Sequence, residues 1–327
     1  MLAFVLRRLF QAALVMLAVA AVAFSLFRYV GDPVNLMLGQ DATPEQKIEL
    51  RASLGLDKPL YYQFAVFVGN AAKGEFGLSL RQARPVSTLI KERLPATLEL
   101  AFVASIIALV GGVLMGVYTA LRPKGVFSQA LLTVSLIGVS LPTFLIGILL
   151  ILIFAVLLQW LPSYSRGDVV QLGWWSTGFL TTSGLRSLVL PSITLSLGTM
   201  TLIMRLVRSE MLEVLRTDYI KFARARGLTN QAVHFGHALK NTLVPVMTIM
   251  GLQIGSIIAF AIVTETVFQW PGMGFLFIQS VQFADIPVMA AYLVLISLVF
   301  VTINLVVDLL YYVVDPRLRQ ERATGGH

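Results

Sequence analysis

The chain alternates long apolar runs with shorter polar connections. Six runs carry few charged residues and are each 18 residues or longer, which is the length that a helix needs to cross the hydrocarbon layer of a bilayer. Because lipid offers backbone groups no hydrogen-bond partner, each run is predicted to be a membrane-spanning α-helix. The predicted spans cover residues 9–30, 98–121, 130–158, 187–204, 243–264 and 287–312.

The third span is longer than one crossing requires and contains Pro142. Proline lacks a backbone N–H and its ring clashes with the preceding turn, so helices bend where it occurs. The pattern therefore predicts that this run begins along the membrane interface near Val126 and kinks near Pro142.

The first span has two interpretations. Arg7 and Arg8 precede it, and the tripeptide AVA recurs at 18–20 and 21–23, as in a cleaved signal peptide. The apolar run nevertheless continues to Val30 without a polar region at a cleavage site. We therefore favour an uncleaved membrane span.

Composition supports an integral, all-α membrane protein. Of the 327 residues, 57% are hydrophobic and 13% are charged, whereas soluble globular proteins average about 45–50% apolar and about 25% charged residues. Cysteine is absent, which excludes disulfides, thiolate metal sites and cysteine nucleophiles. The three histidines, His234, His237 and His327, are too few to favour a metal site built on imidazole.

The net charge of +8 follows from orientation in the membrane. With both termini in the cytoplasm, the inner segments hold fourteen basic and five acidic residues, whereas the short outer loops hold only Arg166 and Arg186 as basic residues. This asymmetry obeys the positive-inside rule. It predicts a multi-pass protein of the cell (inner) membrane with both termini cytoplasmic, and it argues against a nucleic-acid partner.

The outer connections carry weaker signals. Residues 31–97 contain a helix start at Thr43 and Pro44 and a stop at Gly55; this connection is either a packed cap or a docking surface for a soluble partner. Residues 159–186 are rich in tryptophan, which is typical of interfacial anchors. The sequence FQWPGMGF before the last span predicts a tight turn or a re-entrant loop.

A basic segment at residues 218–241 separates two spans, and we call it the finger. Gly227 interrupts its helical pattern and Thr229 can cap a second short helix. The segment could lie flat on anionic lipid, but the glycine break favours a projecting knob. Such a knob needs a socket on a cytoplasmic partner. Apolar residues recur along it at spacings of three and four: Phe222, Ala225, Leu228, Ala232, Phe235 and Leu239.

Catalytic motifs are missing from the sequence. It contains no GxxxxGK(S/T) phosphate loop, no HExxH and no GxSxG, so the chain is not expected to hydrolyse ATP or to act as an enzyme. Ionisable groups within the spans are few, and three such residues lie in or close to the span ends. Structural ion pairing or interfacial solvation explains them at least as well as a transport role; they are Asp308, Arg205 and Glu99.

Several motifs in order resemble the B-type permease of the peptide/nickel/glutathione group of ABC importers. The EAA-type loop of that family corresponds here to "KFA", then Gly227 three residues later, and the peptide-type branch corresponds to "ARARGL…HALKN…P". The motif departs from the family form because Lys221 replaces glutamate and His237 replaces isoleucine. "LGLDKPLYYQF", "GEFGLS", "RLPATLELA", "GVSLPTF", "WPGMG", "DIPV" and "NLVVDLLYYVVDPRLR" extend the resemblance over nearly the whole chain.

The resemblance implies a type I ABC importer permease fold with six transmembrane helices. It implies an N-terminal helix with an extracytoplasmic loop region (1–95), a permease domain (96–315) whose coupling-helix loop is 218–241, and a cytoplasmic tail (316–327). Within the finger, Ala223, Gly227 and Leu228 are expected to form the turn and the socket contact, with Arg224 and Arg226 as polar contacts. The full set of implied ATPase-coupling residues is Lys221, Phe222, Ala223, Arg224, Ala225, Arg226, Gly227, Leu228, His237 and Leu239.

The same resemblance implies three kinds of protein partner: a sister permease, cytoplasmic ABC ATPase subunits and an extracytoplasmic substrate-binding protein. ATP and magnesium are expected on the ATPase subunits, with no cofactor or metal on this chain. Di- or oligopeptides are the expected cargo; nickel chelates, glutathione and sugars remain alternatives. A stand-alone secondary transporter is a more distant alternative, which predicts flux through this chain alone without nucleotide.

Overall fold

The computed structural model describes residues 2–29, 34, 38, 43–53 and 55–314. Apart from one short hairpin, β1 (Val170–Leu172) and β2 (Trp175–Thr177), the regular elements in these ranges are helices. Two of them are π-helices, at Ile151–Leu157 and Ala232–Ala238. The α-helices are α1 Leu2–Tyr29, α2 Pro44–Ser53, α3 Leu60–Ala72, α4 Val86–Leu121, α5 Val126–Ser140, α6 Thr143–Leu150, α7 Thr182–Val214, α8 Asp218–Ala225, α9 Leu239–Val267, α10 Met273–Gln282 and α11 Ile286–Val314.

The described helices provide the predicted number of spans. Five are long and apolar enough to cross a membrane, and a bent pair made of Val126–Ser140 and Thr143–Leu157 gives a sixth when counted as one span. The prediction of a six-helix, all-α membrane fold is therefore confirmed. The five single helices are Val5–Leu26, Val86–Leu121, Thr182–Val214, Ala232–Val267 and Ile286–Val307.

The break predicted at Pro142 is present, and it is larger than a kink. Helix α5 ends at Ser140, Pro142 adopts an extended backbone (φ −58°, ψ 137°), and α6 starts at Thr143 at an angle of 113° to α5. Proline pre-sets this extended geometry and has no N–H to continue the helical ladder. The run therefore folds as two helices.

Several helices extend beyond the apolar runs that predict them. Helix α4 begins at Val86 and passes through Pro95, and α7 continues to Val214 instead of ending at residue 204. Hydropathy locates the part of a helix that suits lipid, whereas the polar residues at its ends still favour helix. Apolar length alone therefore underestimated these two helices.

The start predicted at Thr43 is confirmed by a reciprocal cap. The Thr43 hydroxyl accepts from the Gln46 backbone N–H (3.3 Å), and the Gln46 side-chain oxygen accepts from the Thr43 N–H (3.0 Å). This capping box satisfies two backbone donors at the start of α2. The chain turns after the helix at Gly55, whose φ of +68° lies in the left-handed region.

The described residues divide into two compact units. The first comprises those within Met1–Thr97, Val170–Thr177 and Pro271–Leu305. Its core joins the start of α4 to α10 and α11, where the rings of Phe277 and Tyr292 stack 4.4 Å apart.

A buried carboxylate fixes a turn within this first unit. Asp285 accepts hydrogen bonds from the Ser79 hydroxyl and from the backbone N–H groups of Leu80 (3.0 Å) and Arg81 (3.4 Å). The motifs GEFGLS and DIPV, which lie far apart in sequence, therefore meet through this carboxylate.

The second unit comprises the residues within Leu98–Val169, Gly178–Trp270 and Val306–His327 that the structure describes. Helices α4 and α7 approach closely here: a Cβ on Gly112 would lie 2.9 Å from the Met200 carbonyl oxygen, and one on Gly116 would lie 2.8 Å from that of Met204. Small residues permit such contact between membrane helices. The unit also contains the finger.

The tight turn predicted from FQWPGMGF follows α9. The backbone N–H of Trp270 donates to the carbonyl oxygen of Glu265 (2.8 Å), and the Trp270 side chain is fully buried. Helix α10 then starts at Met273 after Gly272. The prediction of a turn in this segment is therefore confirmed.

Candidate functional site

The finger consists of helix α8, a turn, and the π-helix that leads into α9. Helix α8 begins after Thr217 and ends at Ala225, and the π-helix covers Ala232–Ala238. π-Helical segments are rare and are frequent at functional sites. The predicted helix–turn–helix outline of residues 218–241 is confirmed.

Gly227 forms the turn through a Schellman arrangement. Its N–H donates to the carbonyl oxygen of Arg224 (2.9 Å), and the N–H of Leu228 donates to that of Ala223 (3.4 Å). Gly227 has φ +81°, in the left-handed region where residues with a Cβ are strained. A Cβ built there would meet no atom within 4 Å, so the backbone conformation alone requires glycine.

Thr229 caps the second half of the finger, as predicted. Its hydroxyl accepts from the backbone N–H of Ala232 (3.3 Å), and its carbonyl oxygen accepts from that of Val233 (2.9 Å). The helix that follows is a π-helix instead of the expected α-helix, which changes which side chains share a face.

The buried side of the finger differs from the face that the spacing indicated. The buried side chains are those of Ile220, Ala223, Val233 and Ala238, and helix α8 contacts the π-helix. Periodic spacing of three and four does not continue through a turn and a π-helix. Ala223, which the resemblance implied as part of the turn and the socket contact, closes the turn through its carbonyl oxygen, whereas its side chain is buried. The buried positions of Ile220 and Val233 were not predicted.

Three large apolar side chains of the predicted face remain at the surface. Phe222 is 63% exposed, Phe235 is 52% exposed and Leu228 is 40% exposed. We call these three residues the apolar tip. A folded support carrying exposed aromatic side chains is typical of a contact surface. The predicted, partly apolar tip is therefore present.

One side-chain pair joins the two halves of the finger. The Tyr219 hydroxyl lies 2.5 Å from Nδ1 of His237, and the two rings meet edge to face at 5.6 Å. His237 was selected from the motif, whereas Tyr219 was missed because only the folded turn brings it close.

Basic side chains surround the apolar tip. Lys221 makes an exposed ion pair with Asp218 (2.8 Å), and Arg226 lies 5.8 Å from the centre of the Phe222 ring. Arg224 is also exposed. Exposed pairs contribute little to stability, so these charges are available to steer an acidic partner. Ala225 is exposed, and Leu239 is half-buried.

Glu99 and Arg166 form a buried ion pair within the second unit. The Arg166 guanidinium donates to Glu99 Oε2 at 2.5 Å, and the backbone N–H of Gly178 donates to the same oxygen at 3.3 Å. Arg205 lies on α7, where it lines a cleft. It forms no ion pair with any described residue. The side chain of Asp308 and the tail 316–327 lie outside the described residues.

Comparison with known proteins gives the class. The chain matches the family of binding-protein-dependent transport system inner membrane components over residues 112–320, and the N-terminal part of such membrane components over residues 1–101. It belongs to this family of ABC transporter permeases.

Several individual relatives are named as dipeptide or di/tripeptide permeases. The di/tripeptide transport system permease protein DppB of Pseudomonas aeruginosa is 40% identical, and the match covers 98% of this chain and 100% of the relative. The dipeptide transport system permease protein DppB of Escherichia coli is 37% identical with the same coverage. The resemblance stated from the motifs is confirmed.

Among solved structures, the chain resembles the MetNI methionine ABC transporter in an inward-facing conformation. The TM-score is 0.54 at 20% identity, and the match covers 69% of this chain and 96% of that one. This similarity supports the type I permease fold alone. The domain bounds 1–95, 96–315 and 316–327 and the roles of individual finger residues stay predictions.

Proposed function

We propose that the chain is one of two permease subunits in an ATP-driven, binding-protein-dependent importer of di- and oligopeptides. Membership of the permease family supports the transport role. The peptide cargo is supported by full-length relatives that are named as dipeptide or di/tripeptide permeases. ATP and magnesium bind to partner ATPase subunits, and this chain is a non-catalytic part of the translocation path.

The finger is the docking element for an ATPase subunit on the cytoplasmic side, where both termini also lie. The observation that carries this proposal is the exposed apolar tip on a buried support of Ile220, Ala223, Val233 and Ala238. Burying each phenyl group of the tip contributes about 1–2 kcal/mol. The basic rim favours a partner socket with an acidic edge.

A sister permease covers part of the membrane surface of this chain. Helices α4 and α9, together with Val307, line an apolar groove of about 500 Å³. Its walls include Phe102 and Met247, which are both largely exposed in the isolated chain. Such a groove accepts the ridge of a neighbouring helix.

Co-purification tests the partner assignment. Affinity purification of the tagged chain from its own membranes in mild detergent is expected to recover ATPase subunits and a second permease. A triple variant Phe222→Ala/Leu228→Ala/Phe235→Ala is expected to recover the second permease without the ATPase subunits. Retention of the ATPase subunits by this variant contradicts docking through the tip.

A competition assay tests the cargo. Uptake of a labelled dipeptide by cells that depend on this importer is expected to be inhibited by unlabelled di- and oligopeptides. Inhibition by a nickel chelate, glutathione or a sugar, with no inhibition by peptides, overturns the peptide assignment and leaves the permease role intact.

A further inference from the structure

A cleft opens where the third span is broken. It has a volume of about 380 Å³ and lies between the α5–α6 break and one face of α7. This volume falls within the range of small-molecule sites. Backbone that leaves the helical ladder at membrane depth is tolerated where it lines a cavity, and broken helices form the substrate sites of many transporters.

One face of α7 supplies the polar part of this cleft. Thr194, Gly198, Thr201 and Arg205 recur at spacings of four, three and four, which places them on one side of the helix. A Cβ built on Gly198 would meet no atom within 4 Å, so the cleft reaches the helix backbone there. Polar groups therefore follow the cleft for about 17 Å along α7.

Thr201 lines the cleft and adds a hydroxyl group to it. Only 5% of this residue is exposed, and no described residue makes a hydrogen bond with its hydroxyl. Thr194, by contrast, donates to the carbonyl oxygen of Leu190 (2.9 Å). A hydroxyl that lines a cleft can donate a hydrogen bond to a ligand there, so Thr201 is suited to a ligand within the cleft.

The charges in the cleft favour an anion. Arg205 provides a guanidinium at one end, and the lining contains no carboxylate among the described residues. The first turn of α6 starts at Thr143 after Pro142 without a side-chain cap, which leaves backbone N–H donors and the positive end of the helix dipole at the cleft wall. A guanidinium, a hydroxyl and helix N–H groups all donate, and together they match an oxyanion.

We propose that this cleft binds the C-terminal carboxylate of a peptide during translocation, with Arg205 and Thr201 as the donors on α7. The identity of the anion rests on the proposed function, because a peptide importer carries a carboxylate on every substrate. A lipid phosphate presents the same oxyanion chemistry, and the test separates the two sources.

The absence of cysteine from the chain allows a direct test. The Thr201→Cys variant is assembled into the complete importer in nanodiscs, where reagents reach both faces. The rate of labelling of its single thiol is measured with an anionic sulfonate and a cationic trimethylammonium methanethiosulfonate. The same rates for Asn70→Cys, at an exposed position of α3, provide the reference.

An anion site predicts that the thiol of the Thr201→Cys variant reacts with the sulfonate at least about fivefold faster, relative to the reference, than with the cation. Arg205→Gln in the same background is expected to abolish this preference. The matched control is Arg208→Gln, one turn further along α7 and outside the cleft, and it is expected to preserve the preference. An unreactive thiol in the Thr201→Cys variant, or equal rates for both reagents, overturns the anion site.

The source of the anion is tested by protection during ATP turnover. A dipeptide with a free carboxylate is expected to slow sulfonate labelling of the Thr201→Cys variant at least about threefold, and its C-terminal amide is expected to leave the rate unchanged. Slowing by added phosphatidylglycerol, with no slowing by the dipeptide, overturns the peptide assignment. An importer that shows the anion preference yet takes up no dipeptide instead contradicts the proposed function.

Discussion

The Tyr219 hydroxyl lies 2.5 Å from Nδ1 of His237, and this contact fastens the two halves of the finger together. Their rings also meet edge to face, so the pair combines a hydrogen bond with aromatic packing. The pair holds helix α8 against the π-helix, on either side of the turn at Gly227. It therefore sets the position of the apolar tip.

Replacing Tyr219 should separate these two contributions. Tyr219→Phe keeps the ring and loses one hydrogen bond, worth about 1 kcal/mol, so dipeptide uptake should fall no more than about threefold. Tyr219→Ala also loses the packing, and uptake should fall about tenfold with the chain still in the membrane. Tyr61→Ala, at an exposed tyrosine of α3, is the control. Full uptake by Tyr219→Ala would contradict the claim that transport requires the contact between Tyr219 and His237.

Gly227→Asp should uncouple transport without preventing membrane insertion. The substitution forces a residue with a Cβ into φ +81°, at a cost of about 1–3 kcal/mol, and it places a negative charge at the tip. Dipeptide uptake should fall more than about tenfold, and the amount of chain in the membrane should stay within about twofold by immunoblot.

Gly74→Asp is the matched control for this variant. Gly74 has φ +78° and equally open surroundings, but it belongs to the first unit, whereas the finger belongs to the second. We expect this variant to keep most of the uptake. Full uptake by Gly227→Asp, or equal losses from both variants, would contradict a coupling role for the turn.

The aromatic tip should control ATPase affinity. Phe222→Ala and Phe235→Ala each remove a phenyl group that is more than half exposed in the isolated chain. Each should weaken binding of the ATPase subunits about tenfold, because about 1–2 kcal/mol of apolar burial is lost. Binding is measured by titrating purified ATPase onto the permease pair in nanodiscs. Unchanged affinity in both variants would contradict binding of the ATPase subunits through the apolar tip.

The ion pair between Glu99 and Arg166 should be needed for stability. Glu99→Gln removes one member of the buried ion pair with Arg166, and such a loss costs about 3–5 kcal/mol. The thermal midpoint of the purified chain in detergent should fall clearly. Adding Arg166→Met to this variant should restore much of the loss, since it also removes the buried positive charge.

An exposed pair provides the comparison for this prediction. Arg84 and Glu92 also form an ion pair, but both side chains are exposed. The hydrogen bond to Glu92, together with its negative charge, raises the pKa of Arg84 above its usual value. Water screens this pair, so Glu92→Gln should leave the midpoint nearly unchanged. Equal losses from Glu92→Gln and Glu99→Gln would contradict the role of burial.

Features that depend on neighbouring residues were predicted correctly from the sequence. Long apolar runs located the spans, the Thr43 and Gly55 signals bounded α2, and Gly227 and Thr229 located the turn and cap of the finger. Each of these signals depends on residues within a few positions of one another. Such short-range effects act before the chain packs.

Features that depend on distant residues were not predictable from spacing. Glu99 meets Arg166 and Ser79 meets Asp285 across long separations, and a single sequence contains no signal for either pair. The π-helix at Ala232–Ala238 shifted the phase of the finger, which put Val233 on the buried side. Pro142 explains the break, but the size of the bend, 113°, likewise depends on how α5 and α6 each pack against α7.

The dependence of transport on partner ATPase subunits can be measured in proteoliposomes. Dipeptide flux is compared between the purified chain alone and the chain assembled with its sister permease, ATPase subunits and binding protein, each with and without ATP. Flux is predicted only for the complete assembly with ATP. Steady dipeptide flux through the chain alone, without nucleotide, would contradict the proposal that it is a permease subunit driven through its finger.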